Sequence, residues 1–345
     1  MLKAKTIHID LHLPKSWNQC TTDELEMIAA AIIAEQQRVG RYHPFDWSRV
    51  KLDVVLAVNR LSIDSLTPDP SPKGEGSSQT IPADAPTRSL SDIESTWLVK
   101  RPQDKKPWPI TTGQLLSLTQ MLSWLDDEKS DKTIFMFPYP ELTLRRTDGS
   151  GSRSAFGRLH GKKLSTLNSQ LSTLQGPPPL LDGYTWREYR WLTDWMQEYM
   201  RLSNAKRDAS TAQREFLAIL FKPKEDGSAE ANSPLSTLNS QLFTAFDAVK
   251  WQVILFWWSS LMQQLQKKFP RVFKSQPVDK KGRQPKQKAD TPWDFYNNVT
   301  ASIQKYIGGL SVQDVDNQPY GVTLKQLEMM ADESAELERA KPRHP

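Results

Sequence analysis

The stretch "WQVILFWWSSLMQQLQKKF", from Trp251 to Phe269, constrains the fold more than any other part of the chain. From Val253 to Trp258 every residue is apolar, so a helix here has no polar side to turn toward water. Six such residues are far short of the roughly 18 or more that a membrane span requires. A helix of this kind in water must be central, with neighbours packed on several sides. Together with "TAFDAVK" before it, the segment is expected to run for about 25 residues, or roughly 37 Å.

The neighbours can be read from periodicity. "TTDELEMIAAAIIAEQQRV" opens with Thr21 and Glu24 in a capping-box pattern and places Leu25, Ile28, Ile32 and Gln36 on one face. "FDWSRVKLDVVLAVNRL" offers Asp46 as a cap and aligns Val50, Val54, Val58 and Leu61. "TTGQLLSLTQMLSWLDD" aligns Leu115, Leu118, Leu122 and Leu125. "YTWREYRWLTDWMQEYM" carries Tyr189, Leu192, Trp195, Met196 and Tyr199, and "STAQREFLAILF" adds Phe216, Leu217, Leu220 and Phe221. The spacing predicts two more helices near the end. One has Thr291 as cap and Pro292 in first position and stops at Gly308-Gly309; the other opens on a Thr323/Gln326 capping box. Strands are expected at "TIFMF" (Thr133 to Phe137) and in the alternation of Ile7, Ile9, Leu11 and Leu13. The fold class is therefore mainly α: a helical bundle-like core with one or two short N-terminal-half strands and disordered inserts.

The inserts announce themselves by repetition. "LSTLNSQLSTL" (Leu164 to Leu174) returns in part as "LSTLNSQL" at Leu235 to Leu242, 71 positions on, with unrelated flanks. Without flanking similarity no structural unit is being copied, which excludes a repeat architecture. "LTPDPSPKGEGSSQTIPADAP" (Leu66 to Pro86) has no periodic apolar face and cannot offset its ordering entropy. Both phrases resemble peptides translated from dispersed bacterial genomic repeats. All three segments are read as insertions at loop tips. The chain then divides into a strand and helix pair (1–64), a disordered insert (65–90) and a helix with a short strand (91–160). A low-complexity insert (161–183), an aromatic helical core (184–268, interrupted at 223–243), a basic linker (269–290) and a C-terminal helix pair (291–345) follow.

Composition agrees with this dilution of ordered segments. Apolar residues make up 38% of 345, and there are 24 prolines beside 12 tryptophans. A single cysteine, Cys20, rules out a disulfide framework and suits a reducing compartment; with no apolar leader at the start, a soluble cytoplasmic protein is expected. The net charge of +5 is local. Between Lys267 and Lys288 nine Lys/Arg face Asp279 alone, a charge of +8 that leaves about −3 for the remainder.

Catalytic chemistry finds little purchase. His8, Asp10 and His12 would share one side of a strand, where solvent-facing histidines are the ordinary outcome and a metal the exceptional one. "GRLHGKK" (Gly157 to Lys163) has three residues between its glycines where a phosphate loop needs four. Asp126, Asp127 and Glu128 read as a solvated turn, and Cys20, just ahead of a helix cap, has no histidine nearby in sequence. The expectation is a non-enzymatic protein with no cofactor, no metal and no membrane segment. Two binding features remain. Lys267, Lys268, Arg271, Lys274, Lys280, Lys281, Arg283, Lys286 and Lys288, interleaved with Phe269 and Phe273, suit either nucleic-acid phosphates or a flexible tether. The aromatic stripes "WREYRWLTDW" and "ILFWW" suit core, or an exposed partner surface.

Four phrases, "LPKSWNQCTTDELEMIAA", "FDWSRVKLDVVLAV", "LDGYTWREYRWLTDWMQEYM" and "VILFWWSSLMQQLQKKFPRVF", together resemble uncharacterised phage and prophage proteins encoded among tail-morphogenesis genes. The resemblance covers about two thirds of the chain, leaving out the inserts. It implies a tail-assembly chaperone-like factor that holds a helical partner such as the tape-measure protein. On that expectation Leu324, Leu327 and Met330 form a docking face on the last helix, and Trp257 and Trp258 belong to the body. A nucleic-acid-binding accessory protein acting through residues 267–288 is the alternative.

Overall fold

The computed structural model describes residues 11–39, 44–66, 96–127, 130–145, 171–223, 243–273 and 292–340. The fold is mainly α with a few short strands. The chain divides into two compact units, 1–132 and 133–345. That boundary falls inside the segment 91–160 that the sequence groups together.

In the first unit α1 (Thr22–Arg38) begins as expected: Thr21 Oγ1 accepts the Glu24 N–H, and Glu24 Oε2 accepts the Thr21 N–H at 2.7 Å. Leu25, Ile28 and Ile32 are buried, but Gln36 is exposed and Glu35 takes the inward place. Glu35 is tolerated there because its Oε1 accepts the Asp46 N–H at 3.2 Å, with Arg38 and Arg49 3.7 and 3.9 Å from Oε2. Asp46 also caps α2 (Trp47–Val58), which turns Val50, Val54 and Val55 inward. Three antiparallel strands follow: β1 (Ser62–Leu66), β2 (Thr96–Lys100) and β3 (Trp108–Thr111), in that order. Thr111 and Gln114 form a capping box that starts α3 (Thr112–Gln120). Leu61, Val99, Trp108, Ile110 and Leu115 make a core between these elements. The helix expected to run on through Leu125 stops at Gln120, yet a short 3-10 turn, Ser123–Leu125, still buries Leu122 and Leu125. Beside it Trp17 meets the Trp124 ring edge-on at 5.3 Å, and Trp124 Nε1 donates to the Pro14 carbonyl.

The second unit begins with an irregular segment. "TIFMF" is no strand: residues 133–140 have no regular structure, and Phe135 and Met136, adjacent in sequence, are both exposed. The segment is pinned by a side chain and not by a neighbouring strand. The Ile134 N–H donates to Ser260 Oγ at 2.6 Å, and Pro138 and Pro140 have no N–H for a ladder. The strand comes after it, as β4 (Glu141–Arg145), paired antiparallel with β5 (Leu171–Gln175). Residues 171–183, expected to be low-complexity insert, thus belong to the fold, and Leu174 is fully buried. A third strand, β6 (Lys222–Pro223), completes this sheet, so strands are more numerous than the one or two expected and extend into the second half.

Thr185 and Glu188 form the capping box of α4 (Trp186–Asn204), which packs against α5 (Ser210–Leu220). α6 (Ala248–Lys268) is the central helix, 21 residues long where about 25 are expected. Its rings reach in several directions. Trp257 meets Phe137 at 4.8 Å, Trp258 meets Phe216 at 5.2 Å, and Trp251 meets Tyr199 at 4.9 Å. Each such edge-to-face pair adds about 0.5–1.5 kcal/mol to the burial itself. α7 (Pro292–Ile307) begins on Pro292 and ends where Gly308 and Gly309 adopt positive φ, as the sequence requires. α8 (Val312–Asn317) and α9 (Tyr320–Ala340) close the chain. The Thr323/Gln326 capping box does not form: α9 starts at Tyr320, whose N–H donates to the Tyr184 carbonyl at 3.0 Å. That bond and the Thr185–Pro319 bridge set the helix start one turn early and leave Thr323 buried inside it. The expected strand from Ile7 lies largely outside the described residues, and Leu11 and Leu13 are not in a strand.

Candidate functional site

The residues expected to act lie in different settings. Leu324, offered as a docking residue, is buried in this chain's own interior, and Leu327 and Met330 are half-buried. The side of α9 that faces out carries Val322, Met329 and Leu337 instead. Its attachment is polar as well as apolar: Glu328 accepts the Arg271 and Val272 N–H groups, Arg271 pairs with Asp332, and Tyr306 Oη donates to Glu333 at 2.6 Å. Of the basic set, Lys267 and Lys268 are exposed at the C-terminal end of α6, where cations complement the helix dipole. Arg271 is engaged by Asp332, and Lys274, Lys280, Lys281, Arg283, Lys286 and Lys288 lie outside the described residues.

The chemical candidates resolve similarly. Cys20 is no activated thiol: burial, reinforced by the Glu24 charge, pushes it up to about 12. Its Sγ donates to the Ser16 carbonyl. His12 Nε2 lies 2.8 Å from Glu24 Oε1, and His8 and Asp10 lie outside the described residues. Asp126 pairs with Lys51 at 2.7 Å. "GRLHGKK" is outside the described residues. Among the described residues no group of three or more His, Cys, Asp or Glu side chains could hold a metal ion. No helix among them is long and apolar enough to cross a membrane.

What the structure does assemble is a groove of about 830 Å³ on α4 and α5. Among the described residues, Trp191, Asp194, Trp195, Gln197, Glu198 and Arg201 line it from α4, and Glu215 and Ile219 from α5. The α4 residues recur at three- and four-residue intervals, so they form one stripe along the helix. The adjoining stripe, Tyr189, Leu192 and Met196, is buried in the core and fixes the helix from behind. The aromatic segment "WREYRWLTDW" divides: one stripe is interior, and the next presents indoles to the groove. Trp191 is 41% exposed and Trp195 half-buried.

The electrostatics of the groove are lopsided. Both Glu198 oxygens accept from Arg201, at 2.7 Å each, and these hydrogen bonds hold the Glu198 carboxyl below its ordinary range. Asp194 is different. Burial pushes its carboxyl above the usual value, against the pull of Arg190 one turn earlier, and its Oδ1 is buried with no hydrogen-bond partner. Flat apolar rings beside carboxylates are equipped for binding. The signal in the sequence is Trp191 and Trp195 four apart and interleaved with Asp194 and Glu198, although periodicity assigns Trp195 to the core stripe and the structure turns it to the groove. It is legible once the core stripe is known. No protein-family model, curated protein or solved structure matches the chain.

Proposed function

We propose that this chain is a non-enzymatic assembly protein that works by holding another protein, with a helical phage structural protein of the tape-measure kind as its partner. The observation that carries the reading is the supported groove with two partly exposed indoles. Tryptophans seated in a pocket against a rigid helix are the side chains that most often dominate protein–protein binding energy. Charged and polar side chains around them allow the uncomplexed surface to stay hydrated. The four phrases that resemble tail-morphogenesis proteins supply the class of partner, and the groove supplies a means of grasping it. The docking surface of this reading is α4–α5, in place of the face of α9 that carries Leu324.

Co-expression with a phage tape-measure protein tests the reading. Co-purification, or a gain in the partner's solubility, that is lost in Trp191→Ala is the expected result. If the two proteins neither co-purify nor alter each other's solubility, the reading is wrong.

A further inference from the structure

The chemistry of the same groove narrows the partner further, and this step rests on the protein-holding reading above. We infer that the groove receives a lysine or arginine side chain projecting from an apolar helical segment of another protein, its stem against Trp191 and Trp195 and its charge answered by Asp194 and Glu215.

The described lining holds three carboxylates and one cation, and that cation, Arg201, is closed on Glu198 through two short hydrogen bonds. Asp194 and Glu215 therefore set the sign of the groove. An anionic ligand would face both carboxylates across a surface with no free cation among its described lining residues.

The Oδ1 of Asp194 is buried and has no donor among the described residues. A desolvated carboxylate oxygen without a partner is costly, and a cation held in the groove beside Asp194 offsets part of that cost through its charge. Arg190, the nearest cation along α4, lies on the interior side and is directed to Asp316 and Thr300. Burial raises the Asp194 carboxyl, as expected of an acid short of donors.

Two indoles line the groove. Indole is the ring that attracts cations most strongly through its face, and the attraction grows as water is excluded. Lysine and arginine also carry long apolar stems that lie well along such rings while the head reaches a carboxylate. Ile219 extends the apolar wall on the α5 side, which suits aliphatic neighbours one turn from the cation.

The test uses the full chain and a pair of fluorescein-labelled Ala/Leu-based helical peptides of about 20 residues, long enough to be helical alone. They differ only in a central lysine or methionine, and binding is followed by anisotropy. The lysine peptide is expected to bind roughly tenfold more tightly, with the preference shrinking as salt is raised. The double variant Asp194→Asn/Glu215→Gln is expected to erase the preference for lysine over methionine. Equal binding of the two peptides overturns the cation assignment and leaves protein holding intact. If tetramethylammonium displaces the lysine peptide at the peptide's own concentration, the groove is a small-cation site and the helical partner is excluded. Absence of binding by either peptide also overturns the inference, and the co-expression result then measures the broader reading by itself.

Discussion

Arg190 Nη1 lies 3.2 Å from Asp316 Oδ1, with both side chains less than a tenth exposed. Arg187 Nε reaches the other carboxylate oxygen at 3.4 Å, and Arg190 also donates to Thr300 Oγ1 at 3.4 Å. One carboxylate on α8 therefore ties α4 to the C-terminal helices, and Thr300 adds α7. Removing one member of a buried pair strands the other charge, a loss of about 3–5 kcal/mol. Asp316→Ala is expected to lower the urea midpoint accordingly, with faster hydrogen exchange in residues 312–340. Arg190→Met/Asp316→Leu should recover much of the loss, because two apolar side chains leave no charge behind. A midpoint shift no larger than that of the exposed Glu198→Ala would show that the pair contributes little.

Gly176 is needed for space. A Cβ placed there would stand 2.3 Å from the Tyr139 carbonyl oxygen and 2.6 Å from the Phe137 ring. Phe137 in turn packs on Trp257 and Phe221, so the ring cannot yield without disturbing the aromatic core. Gly176→Ala is expected to cost about 1–3 kcal/mol, seen as a lower thermal midpoint and weaker near-ultraviolet dichroism. Gly113→Ala is the control. Its methyl would meet only Thr111 Oγ1 at 3.9 Å, within a helix that favours alanine, so stability should hold or rise.

Helices were legible wherever local chemistry fixes them: the Thr21–Glu24 box, the Asp46 cap and the Gly308-Gly309 stop all lie within one turn of the end they define. Features set by distant residues were not. "TIFMF" is a short apolar run bounded by "PYP", as a strand would be, but Ser260, far along the chain, holds it as a loop. Thr323 and Gln326 spell a capping box, but Tyr184 starts the helix earlier. β5 hides in a repeated phrase because Leu174 gains its meaning only from Leu142 opposite. The groove behaves likewise: Trp195 falls within a recognisable stripe, while its pairing with Glu215 and Ile219 depends on how α5 folds back on α4.

Cys20 should resist thiol reagents in the folded chain. Its pKa is raised from 9.0 to about 12 by burial, so almost no thiolate exists near neutrality. Reaction with a disulfide reagent at pH 8 is expected to be slow and to accelerate when urea unfolds the first unit. The same shift carries a sign for stability. The group binds its proton more tightly when folded, so its contribution is complete below about pH 9 and is lost as pH rises toward about 12. Cys20→Ala should flatten the fall in stability over that range, and an unchanged alkaline profile would refute the assignment.

Residues 146–170 should be removable. Arg145 stands directly opposite Leu171 in the β4–β5 register, which is the spacing that a two-residue turn closes. The strands therefore need only a short connection, and the chain between them adds closure entropy that grows slowly with length. Replacing 146–170 by Asn-Gly is expected to raise unfolding stability by about 2 kcal/mol on this account. Leu174 should remain buried and Gly176 should keep its hydrogen bond to the Pro140 carbonyl. The measurement is a pair of urea curves, intact and shortened, with the slope compared as well as the midpoint. Loss of stability in the shortened chain would mean that the segment contributes contacts of its own, and the reading of the repeated phrase as an insertion would have to be abandoned.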